Sequence, residues 1–412
     1  MKTAYASAVA AVPPKASTRK RLPSGMLDAA LVWMICGTFL NVLGPLAPLM
    51  VVSGAGALII LRLEVLPTLA KGWPLLVLAA VAPLSATWSD EPSVSLRYGV
   101  QLAVTVIAIM IAVATTGPAR YLRGLFIASG IILILCLLSG RQGQSQGGMV
   151  LIGVLGSKNA MGQLCMLVIC SSLTVFISAD QPSILRKSAI GAGFLGVIVL
   201  LKTFATGAAI STILFVGVFS ILAVASRLTA SAKFLFLLFI IVAIAPLSFI
   251  YDDIVRFYEW FLVDILNKDI GLTGRDYLWR HADALIASKP VLGHGYRSIW
   301  LGHGAETIGL LRWAGLDSGL GFNFHNTFRE SLVDFGFVGT SIIFIALGVG
   351  FIRFLLRSIS QPTNPALWFL AAMGVVTIAR SYAETLFGPF GDVSLIVFGV
   401  SMFGYLIPMR PR

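Results

Sequence analysis

Charge is scarce in this chain: Asp, Glu, Lys and Arg make up only 12% of its 412 residues, about half the share usual in soluble domains. Cysteine and histidine are scarcer still, at four each. Cys36, Cys136, Cys165 and Cys170 all lie in apolar stretches, none at ligand spacing from a histidine or another cysteine. They read as small buried hydrophobes, which argues against a disulfide framework or a zinc site. Neither HExxH nor an HxH pair occurs, so no metal is expected. The alternating apolar–polar segments of a β-barrel are missing too. What is abundant is hydrophobic sequence, 57% of the chain, in runs that do not alternate.

Runs of this length suit a bilayer, whose core of roughly 30 Å needs about 20 apolar residues per helix. Their spacing predicts an all-α polytopic membrane protein with twelve helices, near 27–43, 46–63, 73–88, 98–116, 121–139, 159–178, 188–204, 207–226, 233–250, 335–356, 365–382 and 386–408. Residues 1–25 read as a disordered basic cytoplasmic tail, 26–250 as helices one to nine, 251–333 as one large loop containing short helices, and 334–412 as helices ten to twelve. With the N-terminus inside, the cytoplasmic segments hold 17 of the 30 basic residues and only Asp28, Glu64 and Asp180 of the 18 acidic ones. That asymmetry is the positive-inside rule. It accounts for the net charge of +12 without a nucleic-acid partner and puts the 251–333 loop outside.

All four histidines, His281, His294, His303 and His325, fall in that loop. It opens with a mixed aromatic and charged stretch, Asp252 to Trp260, that reads as an interfacial helix. Thr273 before Gly274-Arg275-Asp276 reads as a helix cap, with a helix over 274–288 stopped by Lys289-Pro290. Arg275 shares a face with Leu278, Trp279, Ala282, Leu285 and Ile286, so it needs an anionic partner. That partner is either a loop carboxylate or a bound phosphate or diphosphate. Gly293-His294-Gly295-Tyr296-Arg297 and Gly302-His303-Gly304 mark tight turns. In Asn323-Phe324-His325-Asn326-Thr327, followed by Glu330, Thr327 and Glu330 have capping-box spacing. His325 then stands just before a helix that enters the membrane at Phe335. A helix N-terminus disfavours imidazolium, so His325 is a candidate general base as well as a candidate hydrogen-bonding loop histidine. His294 and His303 are second-choice bases.

Ionisable residues also gather near the outer helix ends: Arg97, Lys158 with Asn159, Lys202, and Arg380 with Glu384. Each alone is compatible with snorkelling to the interface, whereas ionisable residues at membrane depth are usually functional. Their shared side of the membrane is the stronger signal.

The ordered set Trp88-Ser89 with Pro92, Gly156-Ser157-Lys158-Asn159, Gly274-Arg275-Asp276, Trp279, Pro290, Gly293, Gly295-Tyr296, Trp300, His325-Asn326, Gly336, Gly339, and Arg380 with Glu384 resembles the O-antigen ligase and Wzy-type polysaccharide polymerase superfamily. It looks most like the exopolysaccharide polymerase branch, over roughly residues 75 to 405. The resemblance implies a metal-independent glycosyltransferase of the bacterial inner membrane, with its large loop periplasmic and both termini cytoplasmic. It implies an undecaprenyl-diphosphate-linked oligosaccharide as donor, an acceptor glycan, the lipid bilayer as medium, and a chain-length regulator and flippase as companions, with no cofactor. The family's loop histidine falls on His325 and its loop arginine on Arg275. Ligases carry a further arginine near the outer end of the helix matching Lys202 to Ser211. This chain has none there, leaving Lys202 or Arg380 to supply the charge.

The expected chemistry is polymerisation of lipid-linked repeat units. His325 and Arg275 would be catalytic, with Arg380, Lys158, Asn159, Arg297, Asn326, Glu384 and Lys202 binding substrate. Two alternatives stand beside it: ligation of finished polysaccharide to lipid A-core or to protein, and transport of lipid-linked sugars by a flippase. A transporter should concentrate charge along a mid-membrane pathway.

Overall fold

The computed structural model describes residues 24–145, 148–244, 275–360 and 364–406, together with Arg256 and Trp260. Most of the basic tail, most of the proposed interfacial helix over Asp252–Trp260, and the Thr273 cap lie outside the described residues.

Helices dominate: α1 (Ser24–Phe39), α2 (Leu46–Leu61), α3 (Trp73–Leu84), α4 (Pro92–Ser139), α5 (Lys158–Ile177), α6 (Ser183–Thr203), α7 (Thr206–Arg227), α8 (Ala230–Ile244), α9 (Arg275–Ser288), α10 (Ala305–Ala314), α11 (Thr327–Ser360), α12 (Pro365–Arg380) and α13 (Asp392–Leu406). The expected runs coincide at least in part with these helices, but 98–116 and 121–139 share α4, 386–391 of the last run is not helical, and 245–250 of the ninth lies outside the described residues. A small hairpin, β1 (Gln142–Ser145) and β2 (Gly148–Leu151), links α4 to α5. Among the described residues six helical segments, one of them the composite Leu63–Thr87 that contains α3, are long and apolar enough to cross a bilayer, and five shorter ones are apolar. Large apolar side chains such as Ile60, Leu138, Ile184, Phe194, Ile213 and Phe239 stand exposed. An aqueous surface rarely tolerates such a belt, but hydrocarbon does. The fold is an all-α polytopic membrane protein.

Two long helices are broken at glycine. Gly117 in α4 (φ 72°, ψ 169°) and Gly336 in α11 (φ 59°, ψ −169°) adopt backbone geometry open essentially to glycine alone. The break at Gly336 folds α11 back on itself. Phe328 and Phe344 stack with ring centroids 4.7 Å apart, where sixteen residues of straight helix would separate them by about 24 Å. The expectation of one helix running inward from His325 is thus corrected. The segment before the break turns back far enough for Phe328 to meet Phe344.

The broken helix leaves backbone groups that need partners. The Pro290–Gly295 strip supplies them. His294 N–H donates to Val333 O (2.8 Å) and Gly295 N–H to Asp334 O (3.0 Å), while Phe337 N–H donates to Pro290 O (2.8 Å) and Val338 N–H to Val291 O (3.1 Å). A Cβ on Gly336 would sit 2.4 Å from the Val291 carbonyl, so the two backbones touch only because this residue is glycine.

The loop carries a small core of its own: Leu278, Ala282, Leu285, Ile299, Trp300, Leu310, Phe324 and Val333. Each large side chain buried there stabilises it by about 1.5–3 kcal/mol. The Trp88–Asp90 turn latches onto it. Trp88 Nε1 donates to Leu292 O (2.7 Å), Asp90 N–H to His294 O (3.2 Å), and Asp90 pairs with Lys289 and, at 2.9 Å, with His294 Nδ1.

Candidate active site

His325 owes its position to its neighbours. Phe324, fully buried, packs against Trp300 at 4.7 Å. Asn326 caps α11, its Oδ1 accepting Arg329 N–H (2.9 Å). Between these anchors His325 takes a left-handed conformation (φ 51°), with its N–H on Asn323 Oδ1 (2.8 Å). Such a conformation costs a non-glycine residue of order 1–3 kcal/mol, and it leaves the imidazole edge-on to the Phe322 ring at 5.8 Å. The cap is Asn326, one residue before the expected Thr327. Thr327 Oγ1 instead donates to Glu384 O (2.7 Å) and accepts Leu386 N–H (3.2 Å).

That hydroxyl stitches α11 to the segment after α12. Thr327 N–H also donates to Ser381 O (2.9 Å), and Asn326 Nδ2 to Tyr382 O (2.9 Å). The stitching delivers Glu384 to the imidazole, with His325 Nδ1 3.5 Å from Glu384 Oε2. The other carboxylate oxygen, Oε1, accepts from Arg275 Nη2 at 3.3 Å. Arg275 begins α9, so its anionic partner is a carboxylate from the far end of the chain. One turn before Glu384, Arg380 directs Nη1 to Gln163 Oε1 on α5 and adds its charge to the field at Glu384. Burial alone would raise the Glu384 pKa. The His325 hydrogen bond and the nearby Arg275 and Arg380 guanidiniums outweigh it and hold the carboxyl below its ordinary 4.5. Glu384 is therefore ionised at neutral pH.

The structure thus brings together Arg275, His325, Arg380 and Glu384, drawn from three separate stretches of sequence. Lys158 and Asn159 open α5, whose Gln163 reaches Arg380, with Ser157 capping the helix through Ala160 N–H (3.1 Å). The Phe204 turn crosses α5 beside them, since a Cβ on Gly162 would meet Ala205 Cβ at 2.4 Å. Lys202 and Asn159 are exposed, and among the described residues no hydrogen bond or ion pair joins either to the Glu384 cluster. Arg380, rather than Lys202, is the cation beside Glu384.

Two expected binding residues serve the scaffold. Arg297 lies 3.6 Å from the buried Glu330 carboxylate, and its guanidinium donates to Phe322 O (3.2 Å) and Gly319 O (3.4 Å). Its backbone N–H donates to Asp334 Oδ1 (3.0 Å). Glu330 and Asp334 are 5% and 2% exposed, so Arg297 offsets buried negative charge and is not free for a ligand. Asn326 has both amide ends on backbone groups and so holds the position of His325. The second-choice bases fare likewise. His294 is buried, with Nδ1 on Asp90 and Nε2 within reach of Ser288 Oγ (3.2 Å) and Leu285 O (3.1 Å). His303 is exposed and lies 3.7 Å from Glu91, away from the cluster.

Sequence reasoning missed Gln163 and Asp392. Gln163 sits in an apolar helix, where a lone amide one turn after Asn159 is its only sequence signal; in the fold it is 8% exposed. Asp392 opens α13 and faces Arg380 electrostatically. It also lines a cleft of ≈290 Å³ of mixed character, with Thr38, Asn41 and Arg141 beside Phe39, Val42 and Leu155.

A family model described as O-Antigen ligase matches residues 191–344, a span that contains both Arg275 and His325. The chain is 28% identical over 307 residues to the exopolysaccharide production protein ExoQ of Rhizobium meliloti (strain 1021), covering 74% of this chain and 70% of that protein. Both matches support the O-antigen ligase and Wzy-type superfamily, the resemblance read from the sequence.

Proposed function

We propose that this chain is a metal-independent glycosyltransferase that polymerises polyprenyl-diphosphate-linked oligosaccharide repeat units into an exopolysaccharide. The setting is the outer face of a bacterial inner membrane, with both termini cytoplasmic. The observation that carries this reading is the meeting of His325, Arg275 and Arg380 around one carboxylate, Glu384.

In the proposed step His325 Nε2 takes the proton of an acceptor sugar hydroxyl. The hydroxyl oxygen forms a bond to the donor's anomeric carbon, and the bond from that carbon to the diphosphate oxygen breaks. The lipid diphosphate leaves with the electron pair. Glu384 on Nδ1 fixes the ring and stabilises the imidazolium that forms, as the carboxylate of a catalytic triad does. Arg275 and Arg380 are the donors for the charge developing on the leaving group. Preorganised donors of this kind are typically worth about 3–4 kcal/mol each. Direct attack inverts the anomeric carbon.

Ligation of finished polysaccharide is the second reading, favoured by the description of the matched family. One experiment separates these from transport. Purified protein in detergent, without any gradient, is given a synthetic lipid-diphosphate oligosaccharide. A ladder of products supports polymerisation. A single addition to a lipid A-core acceptor supports ligation. Absence of any new glycosidic bond, with translocation in vesicles, would exclude both.

A further inference from the structure

Glu330 takes no part in the proposed step, yet its surroundings lead to both residues that move the proton. It lies on α11, buried at 5% exposure. Its Oε2 reaches back past the Asn326 cap and accepts the Phe324 N–H at 2.8 Å. Phe324 directly precedes His325, whose left-handed backbone has to be held in place by its neighbours. The other oxygen, Oε1, stands 3.6 Å from Arg297 Nη1, beyond hydrogen-bond reach. It is buried and has no hydrogen-bond partner among the described residues.

A second buried oxygen is in the same position. Thr385 Oγ1 also has no hydrogen-bond partner among the described residues. Thr385 and Glu330 line one cavity of ≈40 Å³, together with Arg297, Ser331 and Asp334. Thr385 directly follows Glu384, in the strip that Thr327 Oγ1 pins at Glu384 O and Leu386 N–H. Buried polar atoms are rarely left unpaired. One water needs roughly 10–15 Å³ and about two to four polar partners. The cavity has that room, and a carboxylate oxygen and a hydroxyl are partners of the right kind.

We propose that Glu330 is a positioning residue for the His325–Glu384 pair: Oε2 holds the Phe324–His325 peptide, and a buried water on Oε1 holds Thr385 and with it Glu384. The inference rests on the reading of that pair as the centre that takes the acceptor's proton. His325 Nδ1 and Glu384 Oε2 are 3.5 Å apart, at the outer limit of a hydrogen bond, so a small shift of either flank releases the ring.

The test uses the full chain in detergent with a synthetic lipid-diphosphate oligosaccharide. Glu330→Met removes both oxygens. Glu330→Gln removes the charge but keeps an acceptor for Phe324 and a donor for the water. Both lose the Arg297 ion pair, so both should melt lower than wild type by similar amounts. Only Glu330→Met should slow the chemistry, with kcat down at least about tenfold and the donor KM within about twofold of wild type. Glu330→Gln should keep kcat within about threefold of wild type. Thr385→Val leaves the Arg297 and Phe324 contacts alone and should lower kcat about threefold or more at the wild-type melting temperature. It carries the test where the Glu330 variants fail to fold. Amide hydrogen exchange without substrate reads the same clamp: residues 323–327 should exchange at least about tenfold faster in Glu330→Met than in Glu330→Gln. Wild-type kcat in Glu330→Met or Thr385→Val, a Gln variant as slow as the Met variant, or equal exchange in the two would overturn the proposal. A wild-type chain that joins no sugars would instead remove the enzymatic reading, and the exchange rates would still decide what Glu330 holds.

Discussion

His325 and Glu384 lie 59 residues apart in sequence, yet His325 Nδ1 stands 3.5 Å from Glu384 Oε2. The carboxylate is shared, since its other oxygen accepts from Arg275. One acid thus sets the orientation of both the proposed base and the proposed diphosphate ligand. Glu384→Gln keeps the shape and removes the charge. Turnover should fall about 100-fold or more, by analogy with loss of a triad carboxylate. The check is the initial rate of glycosidic bond formation at saturating donor, beside a thermal melt showing that the fold is kept.

Arg275→Lys tests whether a planar guanidinium is needed. Lysine cannot span two diphosphate oxygens as arginine does. The kcat/KM for the lipid-diphosphate donor should drop roughly 100-fold, the scale of one lost preorganised donor. Wild-type kcat/KM in this variant would remove Arg275 from the leaving-group site.

Arg297→Ala should behave differently. It strips the partner from Glu330 and the guanidinium bonds to Phe322 O and Gly319 O, while the backbone N–H on Asp334 stays; breaking a buried pair typically costs about 3–5 kcal/mol. A lowered melting temperature with an unchanged KM for donor is the expected pattern. A raised KM at full stability would return Arg297 to the substrate-binding set.

Gly336→Ala addresses the fold. The positive φ and the 2.4 Å approach of a Cβ to Val291 both oppose any side chain. Strain alone costs about 1–3 kcal/mol, so a sharp loss of folded protein on size exclusion is expected. Gly348→Ala, with open space around its Cβ, is the matched control.

The loop latch should weaken in acid. Burial raises the Asp90 pKa, but hydrogen bonds and charge from Lys289 and His294 outweigh it, leaving the value below its ordinary 3.8. A depressed folded pKa means stability that is present above the unfolded value and lost as pH falls through the folded one. Protease resistance of the Pro290–Gly295 strip should therefore hold at pH 5 and fade below about pH 4. In Asp90→Asn that acid transition should vanish. An unchanged acid transition in the variant would assign it to another group.

The apolar runs revealed the helical, membrane-spanning character because bilayer thickness sets their length, though two of the twelve runs share α4 and six helical segments reach spanning length among the described residues. His325 and Arg275 could be singled out because a lone imidazole before a helix and a cation on an apolar face are conspicuous against this background. The Arg380 and Glu384 pair was legible for the same reason. The fold-back at Gly336 was not legible. The apolar pattern continues through it, and only contacts with the distant 290–295 strip make the break tolerable. Arg297 and Asn326 read as ligand groups because sequence cannot tell a polar side chain facing solvent from one consumed by buried neighbours. Gln163 escaped notice since its partner, Arg380, lies 217 residues away.

The most direct measurement is the single-turnover rate of glycosidic bond formation by the His325→Ala protein with donor bound. The account expects that rate to fall at least about 100-fold, the lower range for loss of a general base, while donor affinity stays within a few-fold of wild type. A variant that joins sugars at the wild-type rate would contradict it.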